Sequence, residues 1–186
     1  MGRKRKTKVL ENIRITDIGS EEKSIAKVDG QIIFVTKALP GDLVDLRITK
    51  VKKNYMEGLP LRFHELSDMR VTPFCKHFDV CGGCKWQDLP YEEQLKYKQK
   101  QVVDNFERIG KVDIPEVQPI LPSENTQYYR NKMEYTFSSF RWLTKEEMDV
   151  PEEEKELRGV GLHIPGRWDK VVDVEHCHLQ KKPSND

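Results

Sequence analysis

The chain has 186 residues, 34% of them charged and 37% apolar, with a net charge of +1; that is length enough for one large domain or two small ones, each with a core. No run of eighteen apolar residues occurs, and the basic opening Arg3-Lys4-Arg5-Lys6 has no apolar stretch behind it. This excludes a membrane-spanning helix and a secretory signal, and gives the expectation of a cytoplasmic protein with reduced thiols.

The near-neutral total hides a division. Residues 1–66 carry 14 basic against 9 acidic side chains, whereas residues 67–186 carry 18 against 22, so the front part is the one suited to a polyanion such as nucleic acid. From Val9 to Phe63 the pattern is short strands with turn punctuation. Ile13 and Ile15 alternate with polar residues; Ile25 to Val28 precedes Asp29-Gly30, a two-residue hairpin signal; and Ile32 to Val35 resumes as a strand. Pro40-Gly41-Asp42 forms the next turn, Leu43 to Ile48 leads into the basic run Lys50-Val51-Lys52-Lys53-Asn54-Tyr55, and Leu59 to Phe63 supplies a fifth strand. Five strands with no helix signal between them predict a small OB-like five-stranded β-barrel. Lys50, Lys52, Lys53 and Tyr55 bring cations and an aromatic together, suited to phosphates and a stacked base. Lysines also guard strand edges against aggregation, which is the bland reading of the same run.

Residues 64–74 lack a long periodic pattern and contain Pro73, so the boundary is placed there, giving domains at 1–66 and 67–186. All four cysteines follow: Cys75, Cys81 and Cys84 as C-x5-C-x2-C, and Cys177 far downstream between His176 and His178. Gly82 and Gly83 are read as letting the loop bend sharply. Four thiolates without acidic competitors suit a soft centre, zinc or an iron–sulfur cluster, and three close thiols with a remote fourth are more typical of a cluster. His77, His176 and His178 are candidates for second-row or replacement ligands. A catalytic thiol is the other reading, against which the dense grouping argues.

Leu95, Val102, Phe106 and Ile109 then share one face of a helix that opens near Asp88 to Pro90 and ends at Gly110; this face is expected to be core. Tyr129 to Ser138 alternates with period two, placing Met133, Tyr135 and Phe137 on one face of a half-buried strand. Lys145 to Arg158, with seven acids and three bases, reads as a solvated flap or short helix. Gly159 to Ile164 and Lys170 to Val174 read as two further strands. The fold class is therefore α+β and mostly β: a barrel followed by an α+β domain with an antiparallel sheet.

Gly30-Gln31-Ile32-Ile33-Phe34-Val35 followed by Leu39-Pro40-Gly41-Asp42-Leu43-Val44 resembles a TRAM domain, a β-barrel RNA-binding module of RNA-modifying enzymes. Cys75 with Cys81-Gly82-Gly83-Cys84-Lys85-Trp86-Gln87, the helix from Tyr91 to Gln99, Tyr129 to Tyr135, and Gly161 to Trp168 with Cys177 are similar to the 23S rRNA uracil-5-methyltransferase family. That resemblance implies a [4Fe-4S] cluster held by Cys75, Cys81, Cys84 and Cys177, an RNA-facing surface that includes Arg130 and Lys132, rRNA as partner, and a monomer. Family members continue into a Rossmann-like domain that binds S-adenosylmethionine and carries a nucleophilic cysteine and a general base. Methylation at C5 of uracil needs a thiolate to add at C6 and a base to remove the C5 proton. The four thiols here are cluster ligands by match, so the expectation is the RNA-recognition portion of such an enzyme, truncated or naturally short, and inactive alone. S-adenosylmethionine would enter only with the longer protein. The alternative is a stand-alone RNA-binding or regulatory module with a zinc or iron–sulfur centre; an electron carrier ranks third.

Overall fold

The computed structural model describes residues 8–185; the basic run Arg3 to Lys6 lies outside them. The architecture is sheet-rich α+β with few helices, and no helix among the described residues is long and apolar enough to cross a membrane. Two compact units share the chain. The first runs to Val71 and resumes over Asp88–Pro122; the second comprises Thr72–Gln87 and Ser123–Asp186.

The first unit contains β1 (Val9–Arg14), β2 (Asp17–Ile18), β3 (Ser24–Val28), β4 (Gln31–Val35), β5 (Leu43–Val51) and β6 (Tyr55–Glu65). They form one sheet in the order β1-β5-β6-β4-β3-β2, antiparallel except for the β4–β6 pair. The two end strands are separated by Ile15 and Thr16 alone. Ile15 donates its N–H to the Asp42 carbonyl at 2.9 Å and Thr16 to the Ile25 carbonyl at 2.9 Å, so the chain itself joins the sheet's two edges. The sequence reading merged β1 and β2 into one strand because nothing in Ile13 to Ile15 marks the change of partner. The hairpin forms as expected, with both Asp29 (φ 50°) and Gly30 (φ 76°) left-handed as a two-residue primed turn requires. Alternation in β5 turns Val44, Leu46 and Ile48 inwards, where they pack with Ile15, Ala26, Ile33, Val35 and Met56.

One carboxylate fastens this unit's last residues. Asp42 is fully buried and accepts hydrogen bonds from the Leu39 N–H (2.6 Å), the Ser67 N–H (2.8 Å), and Nε (3.1 Å) and Nη2 (2.6 Å) of Arg70. Arg70 also donates to Asp88, and Val71 N–H donates to the Asp88 carbonyl at 3.0 Å.

The helix α1 (Tyr91–Asp104) continues as a π-helical turn over Asn105–Gly110. It buries no residue: Val102, Phe106 and Ile109 are exposed, Ile109 at 74%, against the expectation of a core face. The periodicity correctly marked an apolar stripe but carries no information on what covers it. The left-handed residue that ends the helix is Lys111 (φ 51°), not Gly110.

In the second unit β7 (Thr136–Ser138), β8 (Gly159–Ile164) and β9 (Arg167–Asp173) form an antiparallel sheet in that order. The strand expected from Tyr129 shrinks to β7, and Phe137 is 85% exposed instead of sharing a buried face with Met133 and Tyr135. The acidic stretch holds the short helix α2 (Lys145–Met148), whose Thr144 and Glu147 make a reciprocal capping box.

The Asp42 network yields a stability test. Asp42→Ala strands two buried N–H groups and the Arg70 guanidinium, so urea unfolding should show a loss of about 3–5 kcal/mol; Asp42→Asn, which keeps one acceptor oxygen, should lose less.

Candidate thiol centre and nucleic-acid surface

The three clustered thiols lie in a chain of tight turns. Cys81 N–H donates to the His77 carbonyl at 2.9 Å, Phe78 N–H to the Cys75 carbonyl at 3.1 Å, and Asp79 takes a left-handed φ of 69°. Gly82 and Gly83 lie in a turn as expected, but neither adopts positive φ, so the turn itself does not require glycine. They allow contact instead. A Cβ on Gly82 would sit 2.6 Å from the His163 carbonyl, and one on Gly83 would sit 2.8 Å from Leu162 Cδ1. Gly82 N–H closes this contact by donating to the His163 carbonyl at 3.1 Å, which lays the thiol loop on β8.

Cys177 reaches the same place from the far end of the chain. Cys75, Cys81, Cys84 and Cys177 line one cavity together with Leu162, Val174, His176 and His178. His77 helps to hold the two segments, because its Nε2 accepts the Glu175 N–H at 3.2 Å; the adjacent Lys76 pairs with Glu175. Asn185 brackets Cys177: Oδ1 accepts the Cys177 N–H at 2.8 Å, while Nδ2 donates to the carbonyls of Cys177 (3.1 Å) and Gln180 (2.8 Å). All four thiols are free. Burial pushes the Cys81 thiol up, and does the same to Cys84 against opposing effects from Gln87 and Arg130. An activated nucleophile requires the opposite shift. Among the described residues, no three His, Cys, Asp or Glu side chains converge closely enough to hold a single metal ion.

Of the residues expected to meet RNA, Lys50 is tied up: its Nζ lies 3.1 Å from Glu57 Oε1, and that hydrogen bond holds its ammonium above the usual lysine value. Tyr55 stands edge-on to Phe34 at 5.5 Å, with Lys50 6.0 Å over its ring. Lys52 and Lys53 stand exposed in the turn between β5 and β6 with no ion pair among the described residues. In the second unit Lys132 pairs with Glu134 at 2.9 Å, both exposed, and Arg130 is exposed beside the thiol centre. Sequence reasoning passed over Tyr128, whose hydroxyl lies 3.1 Å from His176 Nε2 and 3.3 Å from His178 Nδ1. No periodicity marks an aromatic in an irregular segment some fifty residues from its partners.

Comparison with known proteins gives a coherent picture. The family model for the TRAM domain matches residues 8–61. The chain is 53% identical over 168 residues to a protein named an uncharacterized RNA methyltransferase from Bacteroides thetaiotaomicron, covering 90% of this chain and 37% of that protein. A protein of the same name from Porphyromonas gingivalis is 47% identical over 94% of this chain and 38% of its own length. The chain thus spans less than two-fifths of these relatives. Among solved structures, the crystal structure of Pyrococcus abyssi tRNA (uracil-54, C5)-methyltransferase in complex with S-adenosyl-L-homocysteine matches with a TM-score of 0.51 and 24% identity over 94% of this chain and 33% of that one, a likeness of fold.

The Asn185 bracket is directly testable. Asn185→Ala removes the partners of three backbone groups around Cys177 and should lower the stability of the chain by about 1–3 kcal/mol in thermal unfolding; Asn185→Asp, which keeps the acceptor but loses the donors, should fall between.

Proposed function

We propose that this chain, which belongs by sequence to the TRAM-bearing RNA methyltransferases, is the RNA-recognition portion of an S-adenosylmethionine-dependent enzyme that methylates C5 of uridine in RNA. The observation that carries this reading is the identity to RNA methyltransferases over nine-tenths of the chain, which takes in both units. The motifs around Cys75–Gln87 and Gly161–Cys177 favour 23S rRNA as the substrate. The fold likeness to a tRNA enzyme makes tRNA the second reading.

On this proposal the first unit works as an OB-like barrel in the cytoplasm, with Lys52 and Lys53 as its uncommitted cations for phosphate and Tyr55 as an aromatic beside them. Lys50 serves Glu57 first. Arg130 and Lys132 add a second set of RNA contacts. The monomeric chain binds and orients RNA but leaves the methyl donor, the C6 nucleophile and the C5 base to the rest of a longer protein.

Cys75, Cys81, Cys84 and Cys177 would hold a [4Fe-4S] cluster. Four thiols around one cavity, with no carboxylate lining it, fit a soft centre. Zinc is the runner-up, because three close thiols with a remote fourth are more typical of a cluster than of a four-thiolate zinc site. A polynuclear cluster spreads its thiolates over a larger shell. Bound there, a cluster would cross-link the four cysteine thiolates; methyl transfer to a uracil consumes no electrons. The chain's own residues position the ligands: Gly82 through its contact with β8, His77 through Glu175, and Asn185 through Cys177.

Two measurements test the proposal. Binding of the chain to uridine-containing fragments of 23S rRNA and to tRNA, read by fluorescence anisotropy against salt, should weaken in Lys52→Ala/Lys53→Ala, with the slope of log K against log salt shallower by about 2. An unchanged slope removes the barrel turn from RNA binding, and tighter binding to tRNA decides for the second reading. Chain purified without air should carry iron and acid-labile sulfide in equal amounts; stoichiometric zinc without iron would sink the cluster.

A further inference from the structure

We infer that Tyr128, with Phe74, His176 and His178, forms an aromatic wall that closes the thiol cavity and protects the centre held there from oxidants in solution; this rests on the cluster proposed above. His176 and His178 flank Cys177 and both line the cavity. Their rings meet edge to face with centroids 4.7 Å apart. Phe74, next to Cys75, extends the stack on one side with its centroid 5.1 Å from His178. Tyr128 completes it on the other, 6.0 Å from each histidine. Four rings from three separate segments therefore form one contact cluster, in which the two histidine rings line the cavity and Phe74 and Tyr128 pack against them. Behind them the lining residues Phe78, Leu162, Val174 and Leu179 are apolar.

The wall is held in a defined order. Tyr128 Oη stands within hydrogen-bond reach of both histidines, and a phenol has one proton to give. It donates to one ring nitrogen and accepts from the other histidine, which fixes both rings against rotation. The backbone is specially arranged for this. Tyr128 has φ 55°, a left-handed conformation unusual for a bulky residue, and its N–H donates to the His178 carbonyl at 2.8 Å. Strain of that kind persists only where the surroundings impose it. Here it aims a phenol that ligates nothing at the two histidines beside a ligand. Solvent exposure is among the levers that set how an iron–sulfur centre behaves.

The test uses the whole chain, purified without air. Iron and sulfide are measured first in wild type, Tyr128→Ala, Phe74→Ala and Tyr128→Phe, together with unfolding midpoints. The decay of the cluster's visible absorption is then followed in air-saturated buffer. The wall predicts equal loading, with decay about tenfold faster in Tyr128→Ala and in Phe74→Ala. Tyr128→Phe, which keeps the ring and loses the hydroxyl, should be intermediate. Should Tyr128→Ala not load, Phe74→Ala, at the opposite end of the stack, decides. Decay at the wild-type rate in the loaded alanine variants overturns the wall and leaves the cluster standing. Wild type without iron and sulfide overturns both.

Discussion

The thiol loop exists as a defined object because its two ends are tied before it begins. Val71 donates to the Asp88 carbonyl, and Arg70 spans the carboxylates of Asp42 and Asp88, so residues 72–87 leave the first unit and re-enter it at one hydrogen-bonded point. Bringing loop ends together has an entropic cost that grows slowly with length and must be met somewhere. Here the closure is made outside the loop, where Val71 and Arg70 meet Asp88, and the buried Asp42, with four donors, holds Arg70 in place. Burying Asp42 without them would be strongly unfavourable. With its acceptors filled, the same carboxylate fixes its own turn at Leu39 to the Ser67–Arg70 segment and, through Arg70, to Asp88.

Close approach does the corresponding work inside the second unit. Hydrogen-bonded contact between the thiol loop and β8 demands a position without Cβ at Gly82, against the His163 carbonyl, and Gly83 eases the fit against the Leu162 side chain. The same economy recurs in β8 itself, where a Cβ on Gly161 would lie 2.0 Å from the Val172 carbonyl. That geometry explains Gly159-Val160-Gly161 as a packing feature of the sheet, not a phosphate loop.

Much of this was legible beforehand, and the exceptions share a cause. The Asp29-Gly30 hairpin, the turn at Asp42 and the alternation of Val44, Leu46 and Ile48 are local patterns, and each appears as read. That Cys177 lines the same cavity as Cys75, Cys81 and Cys84 agrees with the family resemblance that grouped them; their spacing alone left other uses of the thiols open. What escaped depends on partners. An apolar stripe at Val102, Phe106 and Ile109 looks the same whether covered or bare. Period two from Tyr129 to Ser138 does not reveal that only Thr136–Ser138 finds a neighbouring strand. The reason for Gly82 and Gly83 lies eighty residues away, in His163 and Leu162. Lys50 was chosen for its charge, but Glu57, seven positions on, claims it.

The remote position of Cys177 would make a centre held by the four thiols, as proposed, a mechanical tie. Tyr128 N–H donates to the His178 carbonyl and Arg130 N–H to that of Leu179, and Arg130 bridges Gln180 in parallel, so the segment after Cys177 serves as a template for residues 128–130. Arg130 and the exposed Tyr129 stand on that template. A covalent tie closing a loop of roughly a hundred residues restricts the unfolded chain by about 4–5 kcal/mol on the chain-entropy account. The linkage from Cys84 to Cys177 is of that length, and whole domains have only about 5–15 kcal/mol to spare. A centre joining those thiols would thus contribute a large share of what keeps Tyr129 and Arg130 in register, with no electron transferred. A fourth ligand far along the chain, instead of one completing a compact four-thiol loop, would give such a tie this leverage over a surface that bears none of the thiols itself.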